Sequence, residues 1–507
     1  MPVTHADACL VWPIVAPLAT ALAAFVLGGR WSTRLGVAVV PIVVAATAVV
    51  TWRVWHHGPQ TYSLGNWPAP LGIELHADGL SCAMLLMSAC IGAVVSVYSV
   101  GYFEGSTTAS RGQPQKDTGA QFWPLWLMLW SALHALFLSA DIFNLYVTLE
   151  LLTLAAIGLV VLTGTRAAVE AALRYLLAAL AGSLLYLAGV ALMYGAHGTL
   201  DIASLGRSVT ADASLQAALL LMMVGLMLKT ALFPLHFWLP PAHGSAPAPV
   251  SALLSGLVVK GSFYILLRLW FDVFPQEFTR PLTLLPAVLG AAAILWGSMQ
   301  ALVADRLKML VAYSTVAQLG YLFLVFGLAR PGSDTGFAAW SAVVLFALSH
   351  ACAKGALFLA AGTILHVAGH DRIRDLPAVS RRLPTTFFAI GVASVGLMGL
   401  PPTAAFVAKW TLLRVALGGG HIGLAVVIVL GGLLAAAYLF RVLAAAFTQP
   451  GVVDTNVSYR KVPRWMEYST LGLALVSLLL GLASYPVIEL LRIGSPWSPP
   501  IVQEAAP

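Results

Sequence analysis

Charged residues are scarce in this chain, and their scarcity excludes most soluble folds. Of the 507 residues only 9% are charged, whereas 60% are hydrophobic. A soluble domain carries about 25% charged residues. The apolar runs continue over roughly 20 residues and do not alternate over about 10, as they would in an outer-membrane barrel. The composition therefore predicts an all-α integral membrane protein.

Cysteine and the common catalytic motifs are also scarce. The four cysteines, Cys9, Cys82, Cys90 and Cys352, show neither paired nor metal-ligand spacing. No phosphate-binding glycine loop, dinucleotide fingerprint or nucleophile elbow occurs. We therefore expect no disulfide, no cofactor, no metal and no redox or hydrolytic site of the chain's own. The net charge of +7 reflects arginine-rich loops, so nucleic acid is not an expected partner.

Apolar runs of spanning length predict about fourteen transmembrane helices. Two runs are interrupted, the seventh at Pro234 and the twelfth at residues 399–402. Breaks five helices apart indicate two related halves. We predict the divisions 1–105 (helices 1–3), 106–272 (helices 4–8), 273–447 (helices 9–13) and 448–507 (the last helix and a tail). The runs are 10–28, 35–52, 78–102, 121–139, 142–164, 171–195, 214–239, 248–271, 283–303, 309–329, 336–367, 385–416, 422–447 and 468–491.

Basic residues fall on alternate loops, and this pattern predicts the orientation. Cytoplasmic loops of membrane proteins carry an excess of lysine and arginine. Both termini are then expected on the periplasmic side of a bacterial cytoplasmic (inner) membrane. The basic loop residues are Arg30, Arg34, Arg111, Lys116, Arg166, Arg306, Lys308, Arg372, Arg374, Arg381, Arg382, Arg460, Lys461 and Arg464.

The lysines and one of the carboxylates inside the apolar runs are the candidate functional residues. They are one carboxylate, Glu150, and four lysines, Lys229, Lys260, Lys354 and Lys409. A lysine at membrane depth costs ~3 kcal/mol on insertion scales and usually faces a bundle interior or a water-filled cavity. Burial and a neighbouring carboxylate shift the pKa of a lysine in opposite directions, so such a lysine can exchange protons near neutral pH, which arginine cannot. We therefore predict a proton relay; a structural ion pair and snorkelling side chains are the alternatives.

Three histidines extend this predicted proton path. His236 and His243 flank the break at Pro234, and His350 lies four residues before Lys354, on the same helical face. Histidine passes protons near neutral pH. For His236 and His243 the alternative is that the imidazole satisfies carbonyls that the broken helix leaves free.

Other polar residues in the runs have simpler interpretations. Asp141, at the start of the fifth run, is typical of a helix N-cap. Glu170 and Arg174 have the spacing of a local ion pair. His134 is expected to be structural.

Five segments resemble a known family. The chain is similar to the antiporter-like subunits shared by respiratory complex I, membrane-bound hydrogenases and Mrp-type cation/proton antiporters. The external motif W-P-A-P-x-G-I-E and a terminal lysine look most like the D subunit of Mrp antiporters. The matching segments are 66–81, 149–152, 229–240, 246–254 and 305–321.

The resemblance implies a fold of fourteen helices, with two inverted five-helix repeats and broken helices 7 and 12. It implies an ion pair between Glu150 and Lys229, a central eighth-helix lysine at Lys260, and a terminal position at Lys409. His350 with Lys354 is similar to the family's eleventh-helix pattern.

The function implied is that of a proton-translocating subunit of a multisubunit Na⁺/H⁺ antiporter of Mrp type. It would act as a translocase only within a complex, with other membrane subunits, the lipid bilayer, protons and Na⁺ as the expected partners. The alternatives are a proton-pumping subunit of an NADH-quinone oxidoreductase or membrane-bound hydrogenase, a proton-conducting partner of an inorganic-carbon uptake system, and a structural scaffold.

Overall fold

The computed structural model describes residues 7–104, 118–209, 213–274, 282–330, 332–448 and 461–497. Three basic residues of the orientation prediction, Arg111, Lys116 and Arg460, lie outside the described residues. The fold is almost entirely helical, with one antiparallel hairpin of β1 (Gln60–Ser63) and β2 (Glu74–Ala77).

The helices of the first half precede residue 274. They are α1 (Trp12–Leu27), α2 (Gly29–Ala38), α3 (Val40–His57), α4 (Gly79–Glu104), α5 (Thr118–Leu138), α6 (Ile142–Val161), α7 (Arg166–His197), α8 (Ile202–Ser208), α9 (Ala213–Lys229), α10 (Leu239–Ser245), α11 (Ala248–Leu253) and α12 (Val259–Arg268). Two π-helical turns, Leu254–Val258 and Leu269–Val273, continue α11 and α12.

The second half begins at Leu284. Its helices are α13 (Leu284–Val303), α14 (Leu307–Leu328), α15 (Asp334–Ala368), α16 (Leu376–Ser380), α17 (Pro384–Met398), α18 (Ala404–Gly418), α19 (Ile422–Phe447), α20 (Arg464–Leu482) and α21 (Ser484–Arg492).

Length and composition make many of these helices candidate membrane spans. Within the described ranges, eleven helical stretches are long and apolar enough to cross a membrane. Three shorter apolar helices accompany them: Trp12–Leu27, Ser214–Lys229 and Pro384–Met398. The protein is therefore an all-α, multi-pass membrane protein.

The chain leaves the helix at both predicted interruptions. After α9 ends at Lys229, Ala231 adopts a left-handed conformation with φ of 58°, and Pro234 supplies no N–H for a helical hydrogen bond. After α17 ends, Gly399 has φ of 78°, a conformation that glycine adopts without steric cost. Thr403 then accepts a hydrogen bond from the N–H of Phe406 and caps α18.

Two helical stretches form the centre of the bundle. The stretch Ala248–Val273 and helix α15 are each buried throughout their most apolar 18-residue windows. Lys260 lies on the first and Lys354 on the second, and neither is exposed. These two lysines therefore face protein on all sides.

Loops that the charge pattern assigns to one side of the membrane contact each other. Asp141 forms a backbone bridge with Asp201 at one end, and Arg306 forms one with Arg372 at the other. The predicted N-cap is confirmed, since Asp141 accepts a hydrogen bond from the N–H of Asn144 at 2.7 Å. The pairing of Glu170 is different from the prediction. Its partner is Arg166, one turn earlier, at 2.8 Å.

Candidate functional site

Glu150 and Lys229 form an ion pair between α6 and the last residue of α9. The Lys229 Nζ lies 2.6 Å from Glu150 Oε1 and 3.1 Å from Thr153 Oγ1. The hydroxyl of Ser183 donates to the same carboxylate oxygen. The lysine side chain is only 4% exposed and the glutamate 18%. An ammonium at the C-terminal end of a helix also interacts favourably with the helix dipole.

A close helix crossing positions this pair. Gly182 on α7 faces Gly225 on α9, and a Cβ on Gly225 would come within 2.3 Å of the Gly182 carbonyl oxygen. A side chain at either glycine would force the two helices apart. The crossing brings Ser183 of α7 and Lys229 of α9 to the same oxygen of the Glu150 carboxylate.

Lys260 is buried without a carboxylate partner among the described residues. Its ammonium donates to the backbone carbonyl of Ser255, which lies in the π-helical turn before α12. The Ser255 hydroxyl is 2.9 Å from Thr315 Oγ1 on α14. A π-turn of this kind often marks a functional position in a helix. The contact extends the polar surroundings of Lys260 toward α14.

Lys354 contacts α14 directly. Its Nζ donates to the Val311 carbonyl at 3.0 Å and to the Ser314 hydroxyl. His350 lies one turn earlier on α15, and neither of its ring nitrogens has a hydrogen-bond partner within the described part of the chain. Buried polar atoms are nearly always hydrogen-bonded to protein or ordered water. His350 is therefore suited to contact water.

Lys409 spans the second helix break. Its Nζ donates to the carbonyls of Leu397 and Met398 at 3.0 and 3.2 Å, which are the last two of α17. It also lies 4.6 Å from the centre of the Tyr321 ring. Carbonyls at a helix C-terminus carry partial negative charge, and an aromatic face attracts a cation. A Cβ at Gly399 would come within 2.8 Å of the lysine Cδ, so glycine there leaves room for this side chain.

The two histidines beside the first break have different surroundings. His243 is fully buried against the Phe358 ring at 4.6 Å, within electrostatic range of Lys260, Lys308 and Lys354. His236 lies against Trp296, with ring centres 4.4 Å apart. The structure thus places His243 among the lysines, and His236 beside the aromatic rings of the adjoining helix α13.

A polar face on α14 was missed by the sequence analysis. Ser314, Gln318 and Tyr321 recur at i, i+4 and i+7, which puts them on one face of the helix. The Gln318 amide donates to the Tyr438 hydroxyl of α19 at 3.2 Å. The face runs from Lys354, bound at Ser314, to Lys409, bound at Tyr321. The helical spacing of these three residues could have revealed the face, but segment 305–321 was used only for its resemblance to the family.

Lys308 was wrongly predicted to be a loop cation. It lies in the first turn of α14, is 3% exposed, and donates to the carbonyl of Ala246. Asp371 accepts hydrogen bonds from the Lys308 backbone N–H at 3.0 Å and from Arg306 Nε at 2.8 Å. This carboxylate ties down the start of α14, and the Ala246 carbonyl accepts from the Lys308 ammonium inside the protein. The predicted run began at residue 309, one position too late to include it.

These features define a class of protein. Buried ammonium groups, helices that end inside a bundle and polar side chains between them occur in membrane proteins that move ions. Residues 139–435 match the family described as NADH:quinone oxidoreductase/Mrp antiporter, TM. Residues 64–111 match the family of the complex I chain 5 N-terminus. The chain belongs to the NADH:quinone oxidoreductase/Mrp antiporter transmembrane family and is an antiporter-like membrane subunit.

Known proteins match along nearly the whole chain. The N subunit of the NADH-quinone oxidoreductase of Desulforudis audaxviator is 35% identical, covering 90% of this chain and 92% of the relative. The D subunit of the Na⁺/H⁺ antiporter of Bacillus subtilis is 28% identical, covering 98% and 96%. A chain in the Mrp complex structure from Dietzia sp. superimposes with a TM-score of 0.85 at 25% identity, covering 96% of each chain. These similarities confirm the resemblance inferred from the sequence.

Proposed function

We propose that this chain is the proton-translocating subunit of an Mrp-type Na⁺/H⁺ antiporter, exchanging cations outward for protons inward. The observation that carries the proposal is the set of buried lysines in both halves of the bundle, with a polar face of α14 between Lys354 and Lys409. The full-length similarity to an antiporter's D subunit and to a chain of the Mrp complex supports it. Coupling to other membrane subunits would supply the driving force.

In this proposal protons enter near Lys260, His236 and His243. From there the Ser255–Thr315 contact leads to α14. Protons then pass between Lys354 and Lys409 along the polar face of α14, with water bridging the gaps that direct contacts leave. His350 adds a further proton-accepting group beside Lys354. Opening of the Glu150–Lys229 pair changes the proton affinity of Lys229 and drives the transfer.

We further infer fourteen membrane crossings in two inverted repeats, with the divisions at 105, 272 and 447. The three shorter apolar helices would complete the spans. The positive-inside rule favours a bacterial inner membrane with both termini in the periplasm. Cysteine accessibility at Cys9 in intact cells tests this orientation, because the opposite topology would hide that thiol from an impermeant reagent.

The decisive experiment replaces Glu150 in the assembled complex. We expect Glu150→Gln to reduce Na⁺-driven proton movement in proteoliposomes by ~100-fold, within the range that positioned proton-transfer groups contribute. Glu170→Gln is the matched control, since it removes the same charge from an exposed carboxylate of α7. Full transport by Glu150→Gln, in a complex assembled to wild-type amounts, would contradict the proposal.

The second candidate is a proton-pumping subunit of a quinone-reducing complex. The 35% identity to the N subunit of an NADH-quinone oxidoreductase, over 90% of this chain, favours it. Affinity purification of the native complex in mild detergent distinguishes the two. Co-purifying antiporter subunits support the first candidate, and co-purifying iron–sulfur subunits support the second.

A further inference from the structure

A strongly basic cavity lies outside the central lysine series. It has a volume of about 550 Å³ and is lined by Arg306, Arg372, Arg374 and Arg441, with Asp305 as the acidic lining residue. It lies where α13 ends, α14 begins and the last turns of α19 approach. Backbone pairing between Arg306 and Arg372 forms one wall. The arginines come from three separate segments and converge on one space.

Protein groups neutralise only part of this charge. Arg306 pairs with Asp371, and Arg441 donates to the carbonyls of Leu302 and Ala304. Arg374 is 76% exposed and contacts Asp375 at 3.6 Å, a separation that contributes little to an exposed pair. Arg372 has no side-chain partner among residues that the structure describes. Arg372 and Arg374 therefore present guanidinium groups that a ligand anion can bind.

The two membrane-spanning helices beside the cavity end in exposed apolar side chains. Val303, at the end of α13, is 69% exposed, and Phe447, at the end of α19, is 79% exposed. Met299, one turn before Val303, is 61% exposed. In a membrane-spanning bundle these side chains face acyl chains. A basic recess beside the apolar ends of two membrane-spanning helices fits a molecule that has an anionic head and an apolar tail.

We propose that this cavity binds the phosphate group of an anionic phospholipid from the adjacent leaflet. Guanidinium groups bind phosphate oxygens through paired N–H donors. The acyl chains then lie against the last turns of α13 and α19. Basic pockets between transmembrane helices are suited to anionic head groups, and each basic residue near such a surface contributes roughly fivefold in affinity. The bound lipid links the ends of α13 and α19 to the loop that carries Arg372.

Photo-cross-linking in the intact complex tests the proposal. The complex is reconstituted with a photoactivatable phosphatidylglycerol or, in a parallel sample, with a photoactivatable phosphatidylcholine, and adducts are mapped by mass spectrometry. We expect phosphatidylglycerol to label the ends of α13 and α19 about tenfold more than phosphatidylcholine does. Equal labelling by both lipids overturns the proposal. Absence of labelling by either also overturns it, and is the result expected if a neighbouring protein subunit covers the cavity.

A variant and a competitor identify the source of the selectivity. Arg372→Gln/Arg374→Gln is expected to lower phosphatidylglycerol labelling to the phosphatidylcholine level. Arg381→Gln/Arg382→Gln removes the same charge from the loop that follows α16, outside the cavity lining, and is expected to keep the preference. Loss of labelling on adding millimolar inorganic phosphate would show that the cavity binds a soluble anion and would overturn the proposal of a bound lipid. The comparison of two lipids on the wild-type complex stands even if a variant fails to assemble.

Discussion

The two helix breaks hold their lysines in different ways. At the first break Lys229 is paired with a carboxylate, Glu150, and a threonine hydroxyl. At the second break Lys409 contacts two helix-terminal carbonyls and an aromatic ring, and none of the described carboxylates pairs with it. A lysine beside a carboxylate leaves an anion behind when it loses its proton. A lysine held by dipoles leaves only neutral groups. The first arrangement suits a charge switch, and the second suits a site that loads and releases protons.

The largest effect is expected when the Glu150–Lys229 pair at the first break loses one partner at a time. Removing one member of a buried ion pair destabilises a protein by ~3–5 kcal/mol, whereas replacing both with apolar groups is often neutral. Glu150→Gln or Lys229→Met alone should therefore lower the thermal stability of the complex. The double variant should recover most of that stability while proton transport stays lost. A fluorescence-based melting assay alongside the transport assay measures both.

The control for this cycle is Glu170→Gln combined with Arg166→Gln, which removes an exposed pair. Exposed pairs contribute about 0–1 kcal/mol, so this double variant should match the wild type in both assays. Recovery of transport in the Glu150→Gln/Lys229→Met variant would show that the pair serves stability alone.

A second prediction concerns Lys409 itself. Lys409→Met removes two hydrogen bonds to carbonyls and leaves no buried charge without its partner. Hydrogen bonds to charged groups contribute roughly 1.5–3 kcal/mol each, but solvation of the freed carbonyls offsets part of the loss. The melting temperature should therefore fall less than for Lys229→Met, while transport falls equally far. A larger stability loss at Lys409 than at Lys229 would reverse the comparison.

A third, smaller effect is expected on the α14 face that joins the two regions. Gln318→Leu removes the hydrogen bond to Tyr438 and interrupts the polar face between Lys354 and Lys409. Net loss of one neutral hydrogen bond is about 1 kcal/mol, so the complex should assemble, and transport should fall about tenfold. Gln318→Asn keeps an amide and should retain more activity. Unchanged transport by Gln318→Leu would exclude this face as the route.

The smallest effect is expected at the edge of the ion pair. Thr153→Val preserves the shape of the side chain but removes the 3.1 Å contact to Lys229. Glu150 still holds the ammonium in this variant, so the net loss should be only ~1 kcal/mol, and proton transport should change by about fivefold at most. Thr148→Val is the control on the same helix, since the Thr148 hydroxyl bonds only to backbone carbonyls among the described residues.

The sequence predicts which charged residues belong to this site better than it predicts which atoms they contact. Isolated charges in apolar runs are easy to recognise because their burial is costly, so Glu150 and all four lysines could be picked out from composition. The resemblance implied the Glu150–Lys229 pair, and the structure has it at 2.6 Å. The partners of Lys354 and Lys409 were beyond reach, because backbone carbonyls belong to every residue and leave no mark in a sequence. Lys308 was misplaced because α14 begins two residues before the predicted run, which puts Lys308 in a buried first turn.

The same limit applies to the fold: the sequence predicts its helices but not the contacts between them. Apolar runs and prolines predict where helices lie and where two of them end. They do not predict the glycine contact between Gly182 and Gly225, which requires both helices to be in place. The convergence of arginines from α14, the loop before α16, and α19 was likewise unseen, since these residues were interpreted only as loop charge or as part of an apolar run.

Lys409→Arg tests the central claim most directly. Arginine keeps the positive charge, and it can donate to the Leu397 and Met398 carbonyls, but its proton is not released at any physiological pH. Proton flux is measured in proteoliposomes containing the complex with Lys, Arg or Met at this position, after equal assembly is shown. If buried lysines carry protons, the Arg variant assembles like the wild type and transports no better than the Met variant. Wild-type proton flux through the Arg variant would show that Lys409 only caps α17, and would contradict the account.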